Sequence, residues 1–346
     1  MAREVAVPLE LEEARIERPP LGRRLFNLAR QHPLGVFGLF TVGLLFFAGI
    51  FAETPVSIFG VNLSVAPYDP QAIDREALLK GPSLSHLFGT DRLGRDVLSR
   101  TIFGARISLM IGMVSIFFGV TIGTFLGVIS GYFGRFVDSL IQRSVDVFLA
   151  FPAIVLMLAI VTVIGDEDSA ARRFLAEDTP VPEGSFLGVP FFLDIFILSL
   201  AIGVAVIASV ARVTRGAVLS IKENVYIEAA RALGASDARI MRHHIFPNVV
   251  ALVVVLASIT LPLAILAEAA ISFLAIGVPA PTPSWGADLT GQNRETALSG
   301  HWWPVFFPGL ALSLVVLGFN MLGDAFRDIS DPRLRGALGS GGGRGL

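Results

Sequence analysis

The chain has 346 residues, of which 53% are hydrophobic and only 16% charged. Soluble domains carry about 25% charged residues, so this balance excludes an ordinary soluble globule and points to the bilayer as solvent. The net charge of −2 says little, while the complete lack of cysteine excludes disulfides, thiolate catalysis and most structural zinc sites.

In chain order, a polar segment, 1–33, precedes the first apolar run, Leu34–Ala52. That run is long for a signal core, lacks a clear small-residue cleavage site and is followed by further runs, so it is expected to stay as a span. The others are Ile107–Gly134, Val147–Gly165, Ile195–Ala211, Val249–Ala267 and Trp302–Gly323. About 20 apolar residues cross a hydrocarbon layer ~30 Å thick. Backbone polar groups in lipid must bond within their own segment. The expectation is an all-α polytopic membrane protein with six transmembrane helices, the fourth extending across Asp194 and Arg212.

Six spans put both termini on one side. Segments 1–33, 135–146, 212–248 and 324–346 hold 18 of the 27 Lys and Arg residues, which by the positive-inside rule makes both termini cytoplasmic. Outside, 53–106 is first proline-rich (Pro55, Pro67, Pro70, Pro82) and then helix-like. Its 92–106 stretch sets Leu93, Val97, Ile102 and Phe103 among Arg92, Arg95, Arg100 and Arg106. That pattern predicts an amphipathic helix lying along the outer interface, with partner docking as the alternative. A polar loop follows at 166–190, and a Gly-rich tail at 336–346 is expected to be disordered.

Charged residues near the spans admit two readings each. Asp138 and Asp146 flank Arg143 and are expected to pair at the interface with Arg135, Arg143 or a partner subunit; a proton relay is the rival reading. Arg212 and Arg215 read as inside-facing anchors. Glu268 is expected near the interface, capping a short helix Ala269–Ile276 beyond a break at Pro262, with a pore or gate role as the alternative. Trp285, Trp302 and Trp303 read as interfacial belt aromatics. The five histidines offer no ligand spacing that suits a metal. Neither lysine, Lys80 or Lys222, stands in a phosphate-cradling Gly-Lys-Ser/Thr context, so ATP would have to bind another polypeptide.

The segment Asn224–Pro247 carries the functional reading. Asn224 is placed to cap a first short helix, and Gly234 suits a left-handed stop after it. Ser236 is placed to cap a second helix with Asp237 in its first turn, and Pro247 is expected to end it. Ala229, Ala230 and Ala232 keep one face slim, and Val225, Tyr226 and Leu233 could anchor it in another protein's groove. An ordinary amphipathic connection between two spans fits the same pattern.

Glu228-Ala-Ala, Gly234 and His244-Ile-Phe-Pro247 in this spacing resemble the EAA loop of ATP-binding cassette (ABC) importer permeases, with His244 and Phe246 replacing the usual isoleucine and leucine. Three further stretches, Phe88–Leu109, Glu268–Gly286 and Phe319–Arg335, resemble C-type permease subunits of dipeptide, oligopeptide and nickel importers. The resemblance implies a five-helix core with an added N-terminal helix. It divides the chain into 1–33, a first span with extracytoplasmic segment at 34–106, a permease core at 107–327 with coupling loop 220–248, and a cytoplasmic tail at 328–346. It implies that Glu228, Ala229, Ala230, Arg231, Gly234, Asp237 and Pro247 couple the chain to two ATPase subunits that bind ATP and magnesium, as a lever on the fourth and fifth spans. A B-type permease subunit and an extracytoplasmic solute-binding protein complete the expected assembly, in a bacterial or archaeal inner membrane. Peptides are the expected solute, with nickel or oligosaccharides as alternatives. No catalytic, cofactor-binding or nucleic-acid-binding role is expected of this chain. The rivals are a proton-coupled secondary transporter, which needs midplane carboxylates and inverted repeats, and an intramembrane enzyme, which needs a nucleophile or metal triad.

Overall fold

A computed structural model describes residues 29–52, 57–58, 61–62, 65–166, 169–170, 172–173 and 189–330. The 1–28 segment, most of the 166–190 loop and the 336–346 tail lie outside the described residues. Helix α1 (Pro33–Ile50) begins with proline in its first turn, where a missing N–H costs nothing. A two-residue antiparallel hairpin, β1 (Ser57–Ile58) and β2 (Val61–Asn62), follows it, and the remaining named elements are helical.

Helix α2 (Val97–Phe133) runs unbroken for 37 residues. The 92–106 stretch is therefore no surface helix: Arg92–Arg95 lie before α2, and Val97 and Ser99–Ala105 are buried within its first turns. Asp96 starts the helix by accepting the Ser99 N–H at 2.8 Å. Helices α3 (Arg135–Ala150) and α4 (Ala153–Gly165) replace the expected single third span and meet at 92°. Phe151 is extended (φ −87°, ψ 138°), as a residue before proline prefers, and Pro152 restarts the helix. Among the described residues, five helices are long and apolar enough to cross a membrane, and the bent α3–α4 pair would make a sixth.

Helix α5 (Val189–Lys222) extends across Asp194 and Arg212 as expected. Then come α6 (Val225–Ala232), α7 (Asp237–Ile240), a π-turn at Met241–Ile245, and α8 (Phe246–Phe273). Pro247 does not end the second loop helix, nor does Pro262 break the fifth span: Asp237–Phe273 is one helical stretch. At Pro247 the π-turn absorbs the fault. The Phe246 N–H reaches back to the Met241 carbonyl, and the proline falls in the first turn of α8. Helices α9 (Trp285–Asp288), α10 (Gly291–Leu298) and α11 (Trp303–Ser330) complete the order.

The centre of the fold is α2 against α5. A Cβ on Gly119, Gly123, Gly127 or Gly131 would stand 2.8, 2.8, 2.6 and 2.8 Å from α5 atoms, so only glycine at every fourth position lets the backbones approach this closely. Gly127→Val is expected to cost about 1–3 kcal/mol by overpacking, seen as earlier thermal unfolding of the detergent-solubilised chain. Gly216→Ala, whose Cβ meets nothing within 4 Å, should not bring unfolding earlier and should delay it slightly, because alanine is the better helix former. Around this pair, Ile111, Ile202, Ile265, Ile271 and Val315 form the main core. Phe40, Phe117, Phe125 and Val163 point outward, which lipid accepts and water does not.

The charges placed near the spans find partners on other helices. Asp138 accepts Arg215 Nε and Nη2 at 2.5 Å each and the Ser130 hydroxyl at 2.5 Å. Asp146 meets Arg212. The expected pairing with Arg135 or Arg143 is thus replaced by two rungs tying α3 to α5. Arg212 and Arg215 are part of that tie as well as basic residues near a helix end.

Candidate functional site

The loop predicted to carry function folds as the α6–α7 hinge at one end of the bundle. A second apolar cluster, Val128, Tyr132, Val218, Ile227, Ile240, Ile245 and Val249, braces it from behind. Ile227 is the inward anchor of α6, fully buried, with Ala230 packed beside it. The opposite side is open. Glu228, Ala229, Arg231 and Ala232 are exposed, and so are Val225 (79%), Tyr226 (43%) and Leu233 (89%). Three apolar side chains so exposed on a rigid, slim helix–turn offer an apolar contact surface, not a face buried within the chain itself.

Gly234 makes the turn. Its φ is +82°, its N–H donates to the Arg231 carbonyl at 3.0 Å, and the Ala235 N–H donates to the Ala230 carbonyl at 3.0 Å. This is the Schellman pattern that glycine favours at a helix C-terminus. The two expected side-chain caps do not form. Asn224 instead closes the preceding helix, its side-chain amide donating to the Ile221 carbonyl at 2.9 Å. Ser236 takes the N-cap conformation without a side-chain bond. Asp237 is exposed and accepts the Tyr132 hydroxyl. His244, one of the two departures from the family motif, packs its ring 6.0 Å from that of Tyr226. Pro247 lies exposed just past the π-turn.

At the far end of α2 a polar cluster holds the segment after α8. Glu268 caps no separate helix, because the helix runs on through it to Phe273. It is fully buried inside α8, accepting the Ser108 hydroxyl at 2.7 Å and the Ser272 hydroxyl at 2.8 Å, with Ser284 close by. Arg100 and Asp288 form a buried ion pair, with Arg100 Nε 3.0 Å from Asp288 Oδ1. Burial pushes the Asp288 carboxyl up from its ordinary value, against the pull of Arg100. Trp285 and Trp303 are not belt residues. Both are buried, their indole N–H groups donating at 2.9 Å to the Thr101 and Thr90 carbonyls respectively. Only Trp302 is exposed in the expected way.

Sequence reading missed Tyr132, Ser108 and Asp288. The signals were present but faint: a tyrosine at the end of an otherwise apolar run, and polar residues at positions where a span or its flank should be bland.

Long apolar helices around a braced hinge with an exposed face define a multi-pass membrane protein. Comparison with known proteins gives the particular family. Residues 123–336 match the family described as binding-protein-dependent transport system inner membrane component. The chain is 39% identical over 308 residues to the glutathione transport system permease protein GsiD of Shigella flexneri serotype 5b (strain 8401), covering 89% of this chain and 88% of that one. GsiD of Escherichia coli O6:K15:H31 (strain 536 / UPEC) and of Shigella boydii serotype 4 (strain Sb227) are 37% identical over the same span and coverage. The chain belongs to the binding-protein-dependent transport system inner membrane component family. It is a multi-pass inner-membrane permease subunit of an ABC importer, not an enzyme, and its family works with ATPase and solute-binding partners.

Proposed function

We propose that this chain forms half of a passage for peptides, paired with a homologous B-type permease, and that the α6–α7 hinge docks on a cytoplasmic ATPase subunit. The carrying observation is the hinge itself: Val225, Tyr226 and Leu233 stand exposed while Ile227, Ile240 and Ile245 fix it from behind. In this reading Glu228, Ala229, Ala230, Arg231, Gly234, Asp237 and Pro247 shape or position the docking surface. A cytoplasmic position for the hinge and both termini, 1–33 and 328–346, is supported by the arginine and lysine bias. The permease core is read as 107–327, entered by a helix that begins at Val97. ATP and magnesium belong to the partner subunits.

A peptide solute is supported by the relatives that carry the name of glutathione transport, glutathione being a tripeptide. Nickel or oligosaccharides through the same machinery is the alternative, and competition for uptake between labelled glutathione and unlabelled dipeptides, nickel salts or oligosaccharides separates them. Glu268, enclosed by its own chain, is assigned to fixing the segment around Ser284 and not to gating. The docking reading is tested by co-purification. A tagged chain extracted in mild detergent should bring its ATPase subunit with it, and a chain with Val225, Tyr226 and Leu233 all changed to serine should not. Retention of the ATPase by that triple variant would refute the docking surface.

A further inference from the structure

We infer that Tyr132 is a positioning residue that joins the docking hinge to α2, so that movement of α6–α7 passes to the opposite end of the chain and not only to α5 and α8. Tyr132 is the penultimate residue of α2 and is buried. Its hydroxyl donates to Asp237 at the start of α7, and the Arg231 guanidinium of α6 lies close enough to act on it electrostatically. Lys222, the last residue of α5, donates to the Tyr132 backbone carbonyl at 2.7 Å and stands 5.8 Å from the centre of its ring. Three elements of the hinge region, α5, α6 and α7, therefore converge on one residue.

What Tyr132 is attached to gives this convergence its consequence. Helix α2 is 37 residues long without an internal proline, roughly 55 Å at 1.5 Å per residue. Its glycine face holds it against α5 at backbone distance, so the two helices cannot slide without prising side chains apart. At its other end, Arg100 pairs with Asp288, the Thr101 carbonyl receives the Trp285 indole and Ser108 bonds Glu268. A displacement delivered at Tyr132 is thus carried by a stiff helix to the segment that holds Trp285 and Asp288.

The inference rests on the docking reading above, and one experiment separates the two. The complete transporter, with both permeases, the ATPase subunits and the solute-binding protein, is reconstituted in proteoliposomes. Labelled glutathione uptake and ATP hydrolysis are then measured together. Tyr132→Phe keeps the ring and loses the hydroxyl. The exposed Asp237 carboxylate that it leaves can take water instead. The expected result is undiminished ATPase co-purification and hydrolysis with solute moved per ATP lowered about tenfold, the scale of a coupling free energy between sites. A purely structural role would lower assembly and both rates together. Normal solute moved per ATP in Tyr132→Phe overturns the link and leaves docking intact. Failure of the unaltered chain to retain the ATPase overturns both. If Tyr132→Phe unfolds early, Lys222→Met, which removes the bond to the Tyr132 carbonyl, is read by the same ratio, and normal coupling there overturns the link.

Discussion

A chain carrying Gly234→Pro should reach the membrane in normal amount and import nothing. Gly234 holds φ at +82°, and its N–H donates to the Arg231 carbonyl. Proline fixes φ near −65° and has no N–H to give. Both features of the turn are lost at once, so α7 can no longer sit at its present angle to α6. Steric crowding is not the cause, because nothing lies within 4 Å of a Cβ built at this position. Gly234→Ala therefore isolates the conformational part: it costs about 1–2 kcal/mol for a left-handed alanine and should lower uptake without abolishing it. Glu228→Arg acts on the surface and not on the turn. It reverses an exposed charge in the first turn of α6, sets it three residues from Arg231, and opposes the helix dipole. Membrane insertion depends on the apolar helices and survives both changes. Uptake of labelled glutathione, normalised to the amount of chain in the membrane, is the measurement. Wild-type uptake by either Gly234→Pro or Glu228→Arg would sink the docking role.

The parts of the molecule legible in the sequence are those whose cause is local. Apolar runs located the helices, because lipid leaves a backbone no other partner. Gly234 announced its left-handed turn, because few other residues adopt one cheaply. Proline was less transparent. Pro152 breaks the chain by 92°, while Pro247 and Pro262 are carried within one helical stretch. The difference is whether neighbouring groups take up the lost hydrogen bond, and the π-turn that does so before Pro247 leaves no mark in composition. Polar residues deceived for the opposite reason. Arg100, Glu268 and Trp285 look interfacial in any window of twenty residues. Yet their partners Asp288, Ser108 and Thr101 lie 188, 160 and 184 positions away in the chain. Only the packing of α2 against α8 and α9 brings them together.

The same long-range pairing makes Arg100 the position outside the hinge where a single change should do most damage. Arg100 is 4% exposed and serves three pieces of chain at once. It pairs with Asp288, and its Nη1 donates to the Pro70 carbonyl at 3.2 Å and to the Pro281 carbonyl at 3.4 Å. Asp288 already has one buried oxygen, Oδ2, without a hydrogen-bond partner. Arg100→Ala would leave its carboxylate without its paired cation in a buried site, with only the more distant Arg95 acting on it, which costs about 3–5 kcal/mol. Arg100→Lys should recover little, since one ammonium cannot reproduce a planar fork that reaches three acceptors. Replacing both partners, Arg100→Met with Asp288→Leu, removes the charge along with its mate and should restore most of the lost stability, because apolar residues often substitute for a buried pair at no net cost. Thermal unfolding of the detergent-solubilised chain measures all three, and hydrogen exchange in residues 69–93 should rise in Arg100→Ala as Pro70 loses its donor. A single variant that unfolds with the unaltered chain would mean that the carboxyl is neutral in place and that the pair does not hold this end of α2.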